Sequence, residues 1–158
     1  MKTKDITKIK RSQWQELGGS IARRIVEDAD KGISQDGSGT SRDFKEYSFA
    51  YAKKKAAGKA GPKGVGTSKQ TSPPNLRLTS EMLNSIKAQK ATSNSVEINY
   101  RSGLKVLGHS KRRGNKPKRN IYGLNDKNQK HVKDFIENVI DDRIIKFNKK
   151  KIVFKIDL

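Results

Sequence analysis

The sequence predicts an α+β domain in which a small mixed or antiparallel β-sheet packs against a long N-terminal helix and a C-terminal helix, with long basic loops. Apolar residues recur at three- and four-residue steps near both ends of the chain, which is typical of amphipathic helices. Val96, Ile98 and Tyr100 alternate with polar residues, which indicates a half-buried strand. Two stretches rich in glycine or lysine, about residues 58–72 and 108–119, cannot bury a core and are predicted to be flexible.

Length and composition favour a single domain over residues 1–158. Apolar residues make up 32% of the chain, which is enough for one modest core. The 36 basic and 16 acidic residues give a net charge of +20, which predicts a nucleic acid or an acidic protein surface as a partner. The absence of cysteine excludes disulfides and thiolate metal sites. No apolar run is long enough to span a membrane and the N-terminus lacks the apolar core of a signal peptide, so we expect no membrane partner.

The N-terminal helix is predicted over residues 5–30. Gly18 and Gly19 weaken its middle by about 1 kcal/mol each relative to alanine, so a helix that begins only near Ser12 is the alternative. Gly32 and the polar run that follows end it in a loop. The apolar positions of this helix are Ile6, Ile9, Leu17, Ile21 and Ile25.

A short second helix is predicted over residues 49–57. Ser48 precedes it and is a favourable N-cap residue. The chain is then expected to be extended at Pro73 and Pro74, because a residue before proline avoids the helical region.

A further helix is predicted to start at Thr79. This threonine is a favourable N-cap, and Glu81 in the next turn interacts well with the helix dipole. Leu78 and Leu83 stand at the positions of a hydrophobic staple across the cap. The apolar face of this helix would consist of Met82, Leu83 and Ile86.

The strand at Val96 is predicted to turn at Ser102 and Gly103 into a second strand over residues 104–107, which would form a hairpin. Asn125 or Asp126 caps the last helix, which has the strongest helical periodicity in the chain. Its apolar side consists of Val132, Phe135, Ile136, Val139, Ile140, Ile144 and Phe147.

Residues 152–158 change from a helical to an alternating pattern, which predicts a C-terminal strand. This strand either closes the sheet of its own chain or pairs with the sheet edge of a neighbour. The candidates for such an intersubunit contact are Ile152, Phe154, Ile156 and Leu158.

The sequence predicts no catalytic residue, no metal ligand and no cofactor, and therefore a protein that is not an enzyme. His109 and His131 are the two histidines, and no ligand spacing joins either of them to carboxylates. A magnesium-dependent nuclease would need clustered carboxylates, and the basic loops contain no acid. The chain also lacks a P-loop, a dinucleotide fingerprint and a nucleophile elbow.

Basic residues gather in two windows without acids, between Glu46 and Glu81 and between Glu97 and Asp126. We expect them to contact a polyanion or an acidic partner. A solvated loop that folds only on a partner is the alternative, because base-stacking aromatics are absent from the second loop. The predicted contact residues are Lys53, Lys54, Lys55, Lys111, Arg112, Arg113, Lys116, Lys118 and Arg119.

Three segments in order, FKEYSFAYAKKK, NLRLTSEMLNSI and PKRNIYGL, resemble a bacteriophage family over about residues 20–145. This family comprises the tail-completion and head–tail joining (neck) proteins of long-tailed phages, including those described as virion morphogenesis proteins. Its members have glycine at the position of Ser80, and a glycine-leucine pair at Gly123 and Leu124. The matching residues are Tyr47, Ser48, Tyr51, Lys55, Leu78, Thr79, Met82, Leu83, Ser85, Ile86, Pro117, Arg119, Gly123 and Leu124.

The resemblance implies a structural virion protein that forms a homo-oligomeric ring, commonly a hexamer, between the head connector and the tail. The implied partners are other copies of the chain, connector or adaptor proteins, and tail tube or tail terminator proteins, with packaged DNA as a further contact. The implied location is the head–tail junction of the virion, and the host cytoplasm during assembly. The charge alone favours a different function, a small basic nucleic-acid-binding protein, and a nuclease is the third hypothesis.

Overall fold

The structure is a computed structural model that describes residues 8–63, 67–77, 80–101, 103–110 and 118–151. It contains a long N-terminal helix, a long C-terminal helix and a two-stranded antiparallel sheet, so the predicted α+β class is confirmed. In chain order the elements are α1 (Arg11–Lys31), α2 (Phe49–Ala56), α3 (Glu81–Asn84), β1 (Ile86–Gln89), β2 (Glu97–Tyr100), α4 (Gly103–Ser110) and α5 (Asp126–Lys151).

Helix α1 is the centre of the fold. It begins at Arg11, which agrees with the alternative start near Ser12 and not with the start at residue 5, and the side chain of Gln13 accepts a hydrogen bond from the Lys10 N–H at 3.0 Å. It ends at Gly32, whose φ of 75° lies in the left-handed region that glycine adopts without strain. Its buried face is formed by Leu17, Gly18, Ile21, Ala22, Ile25, Asp28 and Ala29.

The sheet packs against α1. Strands β1 and β2 pair antiparallel, with Ile86 opposite Tyr100 and Gln89 opposite Glu97. The half-buried strand predicted at Ile98 and Tyr100 is therefore confirmed, but the predicted hairpin partner is wrong. Residues 103–110 form helix α4 instead, because β2 obtains its partner from the preceding residues 86–89.

Helix α3 is a single turn, shorter than the sequence predicts. The chain leaves the helix after Asn84, and Ile86 enters β1 rather than continuing the helical face. Met82, Leu83 and Ile86 are nevertheless all buried in the main core, because a helix turn followed directly by a strand directs them to the same side. Ser80, not Thr79, is the N-cap residue. Leu78 and Thr79 themselves lie outside the described residues.

Helix α5 runs antiparallel to α1. Asn128 contacts Asp28, His131 contacts Ser20 at 3.0 Å, and the Arg143 guanidinium donates to the Gln13 side chain at 2.7 Å. The predicted cap is confirmed, because the Asn125 side chain accepts a hydrogen bond from the Asn128 N–H at 2.9 Å.

The apolar stripe of α5 is only partly covered. Val132 and Phe135 pack against the core, whereas Ile144 and Ile145 are exposed. The helix continues to Lys151, and the predicted strand over residues 152–158 lies outside the described residues.

Candidate functional site

The ammonium group of Lys55 lies inside the protein, where its side chain is 1% exposed. Its Nζ atom donates to the Asn75 side chain at 2.7 Å and to the Tyr47 hydroxyl at 3.1 Å. The Tyr47 hydroxyl in turn donates to the backbone carbonyl of Asn75. These three residues connect the start and end of α2 to the extended segment that precedes α3.

Arg119 completes this cluster by lying over the Tyr47 ring. Its Cζ atom is 4.8 Å from the ring centroid, and the Lys55 Nζ atom is 4.7 Å from the same centroid. Arg119 also donates to the backbone carbonyl of Lys45 at 2.8 Å. Two cations therefore share one aromatic ring, which is a favourable place for a charge removed from water. We call Tyr47, Lys55, Asn75 and Arg119 the buried lysine cluster.

Burial controls the ionisation of this cluster. It raises the pKa of Tyr47 to about 12, and together with the charge of Arg119 it lowers the pKa of Lys55 to about 8. Burial also lowers the pKa of Arg119. At neutral pH the tyrosine is thus a neutral donor and the two bases are cations, held by neutral oxygens and an aromatic ring.

Two of the predicted polyanion contacts are corrected by this geometry. Lys55 and Arg119 are buried and bonded within the protein, so neither side chain is available to a partner at the surface. Lys53 and Lys54 in the last turn of α2 are exposed, as such a contact requires. Lys118 is exposed and forms an ion pair with Asp36. The remaining predicted contacts, Lys111, Arg112, Arg113 and Lys116, lie outside the described residues.

The buried lysine cluster brings together residues from distant motifs. Tyr47 and Lys55 belong to the first motif and Arg119 to the third, whereas Asn75, whose importance the sequence did not reveal, is the first residue of the second. Ser48 has the predicted capping role, because its hydroxyl accepts a hydrogen bond from the Tyr51 N–H at 3.4 Å. Pro117 lies outside the described residues.

Two of the motif positions, Ser80 and Gly123, share an unusual backbone conformation. Ser80 has a φ of 63° and Gly123 has a φ of 100°. Both values lie in the left-handed region, which glycine adopts freely and other residues adopt at a cost of about 1–2 kcal/mol. Leu124, directly after Gly123, packs against the core.

A second buried polar group fixes α5 to α1. One carboxylate oxygen of Asp28 accepts hydrogen bonds from the side-chain amides of Gln35, Asn125 and Asn128, each at 2.9 Å. The sequence identified Asn125 only as a cap. Asn128 stands three residues later on the same helix face, and this spacing is the signal that could have indicated a shared partner.

A groove of about 450 Å³ lies between α1 and β1. The apolar side chains that line it include Ala22, Val26 and Ala88. At one end Arg77 forms a two-pronged ion pair with Asp30, with Nη2 and Oδ2 separated by 2.8 Å. Polar and charged side chains such as Gln15, Arg23 and Glu27 also line this groove, and a concave site that combines apolar and charged groups suits a peptide segment.

Large apolar side chains are also exposed on three other elements. Phe49 at the start of α2 is 85% exposed, Leu104 in α4 is 86% exposed and Ile145 in α5 is 52% exposed. Such residues on a strongly basic protein indicate surfaces that a partner can cover.

Within the described part of the chain, no group of three or more histidine, cysteine or acidic side chains is placed to hold a metal ion. None of the helices described is long and apolar enough to cross a bilayer. Comparison with models of known protein families, with curated proteins and with solved structures finds no match to this chain in any of the three.

Proposed function

We propose that this protein is a structural component of a bacteriophage head–tail junction. It forms a ring, hexameric by analogy with the family that it resembles, that joins the head connector to the tail. Its partners are further copies of itself, connector or adaptor proteins on the head side, and tail tube or tail terminator proteins on the tail side.

The observation that carries this proposal is the convergence of the motifs in the buried lysine cluster. The Tyr47 ring of the first motif contacts Lys55 from the same motif and Arg119 from the third, although more than 60 residues separate Arg119 from the other two in the sequence. The motif residues Met82, Leu83 and Ile86 lie together in the core. The matched residues thus serve one structural unit, as expected when a sequence resemblance reflects a shared fold.

The backbone at Ser80 and Gly123 adds independent support. Glycine in the family is explained at both positions if its members share the positive φ angles found here. A chance match of short motifs would not be expected to place these two glycine positions of the family in the left-handed region.

The surface is suited to assembly. A ring built from head-to-tail contacts needs two different complementary surfaces on each subunit. Exposed apolar residues on α4 and α5 and the exposed lysines 53 and 54 on α2 offer surfaces of different character. The lysines would face an acidic neighbour or packaged DNA.

The direct test is the assembly state of the full chain. We expect the purified protein to form ring-shaped particles in negative-stain micrographs, with a matching multiple of the chain mass by light scattering. A chain that remains monomeric at high concentration and binds a generic DNA duplex tightly at physiological salt would instead support the nucleic-acid-binding function and refute the proposal.

The exposed lysines provide a second measurement. Replacing both Lys53 and Lys54 by glutamate should weaken any duplex binding and reduce its salt dependence, because each lysine contributes counterion release. If the protein is a ring component whose lysines 53 and 54 face DNA, the ring still forms in this variant. If the two lysines face an acidic subunit, the ring is lost. A matched control replaces Lys130 and Lys133, whose partners Asp134 and Glu137 lie in the same helix.

A further inference from the structure

We infer that the groove between α1 and β1 accepts residues 152–158 of a second copy of the chain, which add as a strand to the free edge of β1. This inference rests on the proposed self-assembly, and it names the two surfaces that meet.

The acceptor is the edge of β1 that faces away from β2. Strand β1 lines the groove through Ile86, Lys87 and Ala88, whereas no residue of β2 lines it, so the groove follows the outer edge of β1. The Ala88 carbonyl points to this side, where it accepts a hydrogen bond of 3.4 Å from the Gln15 side chain. In the ranges that the structure describes, no strand pairs with this edge. A strand edge without a strand partner, beside a partly apolar groove, is a template for strand addition once the Gln15 side chain moves aside.

The donor has the pattern that such an edge requires. In residues 152–158, Ile152, Phe154, Ile156 and Leu158 alternate with Val153, Lys155 and Asp157. A strand with this alternation presents an apolar row to the groove and a mostly polar row away from it.

Charge is compatible with this pairing. Lys155 and Asp157 supply one charge of each sign on the polar row. The groove is bordered by Arg23 and Lys87 and by Glu27, which are exposed residues of both signs. Because the polar row points away from the groove, both charges of the incoming strand stay at the rim in solvent, and neither needs to be buried.

Chain length favours a second copy over the same copy. Helix α5 contacts α1 through Gln13 and Ser20, whereas Gly19 and Val26, which line the groove, lie about 120° around α1. Helix α5 also continues about 12 Å from Arg143, which bonds to Gln13 in the first turn of α1, to Lys151.

Seven extended residues span at most about 23 Å. A segment that folded back on its own chain would need about 12 Å to return along α5 and about 10 Å to pass around α1. These two distances together take almost the whole length of the segment, so no extended residues would remain to pair with β1. A neighbouring subunit approached by the projecting end of α5 has no such limit.

Because the chain contains no native cysteine, site-directed cross-linking can test the contact directly. One full-length variant carries Lys87→Cys, at an exposed position of β1, and a second carries Lys155→Cys. The two are mixed under assembly conditions, treated with a short bismaleimide and digested, and linked peptides are identified by mass spectrometry. The control replaces Lys87→Cys by Lys53→Cys, an exposed lysine on α2 outside the groove.

We expect the peptides containing positions 87 and 155 to be linked between chains. In the control, we expect no comparable link between positions 53 and 155. Equal linkage in the control would show a non-specific contact and refute the inference. Linkage within one chain, seen when a doubly substituted chain is diluted into unsubstituted protein, would show that the segment binds its own groove. Rings without the 87–155 link would refute strand addition and leave the proposed function intact. A chain that forms no assembly would refute both.

Discussion

The Nζ atom of Lys55 lies 2.7 Å from the Oδ1 atom of Asn75, and both side chains are almost completely buried. This bond joins the last turn of α2 to the segment before α3, across 20 residues of sequence. The Lys55 contacts seen in the described chain are with neutral oxygens and the Tyr47 ring, so the ammonium is held without a carboxylate. A lysine placed in this way is a structural residue with a measurable effect on stability.

The first prediction concerns the pH dependence of unfolding. The pKa of Lys55 is about 8 in the folded protein, against an ordinary value of 10.5. Between these values the unfolded chain holds a proton that the folded protein has released, so the free energy of unfolding rises with pH. We expect a gain of about 1–2 kcal/mol from pH 8 to pH 10, measured by urea denaturation. Above pH 10 the raised pKa of Tyr47 acts in the opposite direction.

Two variants isolate this effect. Lys55→Met removes the titrating group and should abolish the rise between pH 8 and pH 10, whereas Lys54→Met, one residue away and exposed, should preserve it. A rise that persists unchanged in Lys55→Met would show that another group is responsible.

The second prediction concerns the two adjacent glycines of α1. A Cβ atom on Gly18 would lie 2.5 Å from a methyl carbon of Val96 and 2.9 Å from the Ala88 Cβ atom, whereas a Cβ atom on Gly19 would meet nothing within 4 Å. We therefore expect Gly18→Ala to destabilise the protein by about 1–3 kcal/mol, because α1 must move away from the sheet.

Gly19→Ala serves as the matched control. It should stabilise the protein by up to about 1 kcal/mol, because alanine is the better helix former. Thermal denaturation of both variants measures the difference. Equal effects of the two substitutions would contradict the close packing of α1 on the sheet.

The different surroundings of Gly18 and Gly19 show which features of the fold can be predicted from the sequence. Local rules correctly predicted that Ser48 caps α2 and that Asn125 caps α5, because each depends on residues within one helical turn. The start of α1 at Arg11 agrees with the alternative start near Ser12 and not with the start at residue 5. The same rules treated Gly18 and Gly19 as equivalent. Their difference arises from Val96, which is distant in sequence, and no local pattern reports it.

The wrong predictions for Leu104 and Lys55 also arise from contacts between residues that are distant in sequence. The segment at Leu104 was predicted to be a strand because it follows a turn signal after β2, but the strand partner of β2 is residues 86–89. Lys55 was assigned to the surface with Lys53 and Lys54, since a run of lysines carries no information about which one faces inward. Asn75 supplies the oxygen that makes burial of Lys55 tolerable, and only the folded chain brings the two together.

The third prediction tests the backbone at Ser80. Its φ of 63° is unfavourable for serine, and its side chain makes no capping hydrogen bond. Ser80→Gly should therefore stabilise the protein by about 1 kcal/mol in chemical denaturation. The control is Ser12→Gly at an exposed position of α1, which should destabilise by a similar amount because glycine is a poor helix former. Destabilisation by Ser80→Gly would argue against the left-handed conformation and weaken the resemblance to the phage family.

The last prediction concerns Asp28. Its carboxylate accepts hydrogen bonds from three buried amides, on Gln35, Asn125 and Asn128. Asp28→Ala removes this shared acceptor, although the Asn125 amide also donates to the Ser34 carbonyl at 3.3 Å and the Asn128 amide to the Gln35 side chain at 3.0 Å. Each buried donor left unsatisfied costs about 1–3 kcal/mol. We expect a total loss of about 3 kcal/mol or more, measured as a lower urea midpoint.

Glu27→Ala is the control for Asp28→Ala. Glu27 is the preceding residue of α1 and is exposed, so its removal should change stability by less than about 0.5 kcal/mol. Hydrogen exchange distinguishes a local from a global effect. If Asp28 fixes the start of α5 to α1, the first turns of α5 should lose protection in Asp28→Ala before α1 does. Uniform loss of protection would show that Asp28 stabilises the core as a whole, and unchanged protection would show that the amide network contributes little.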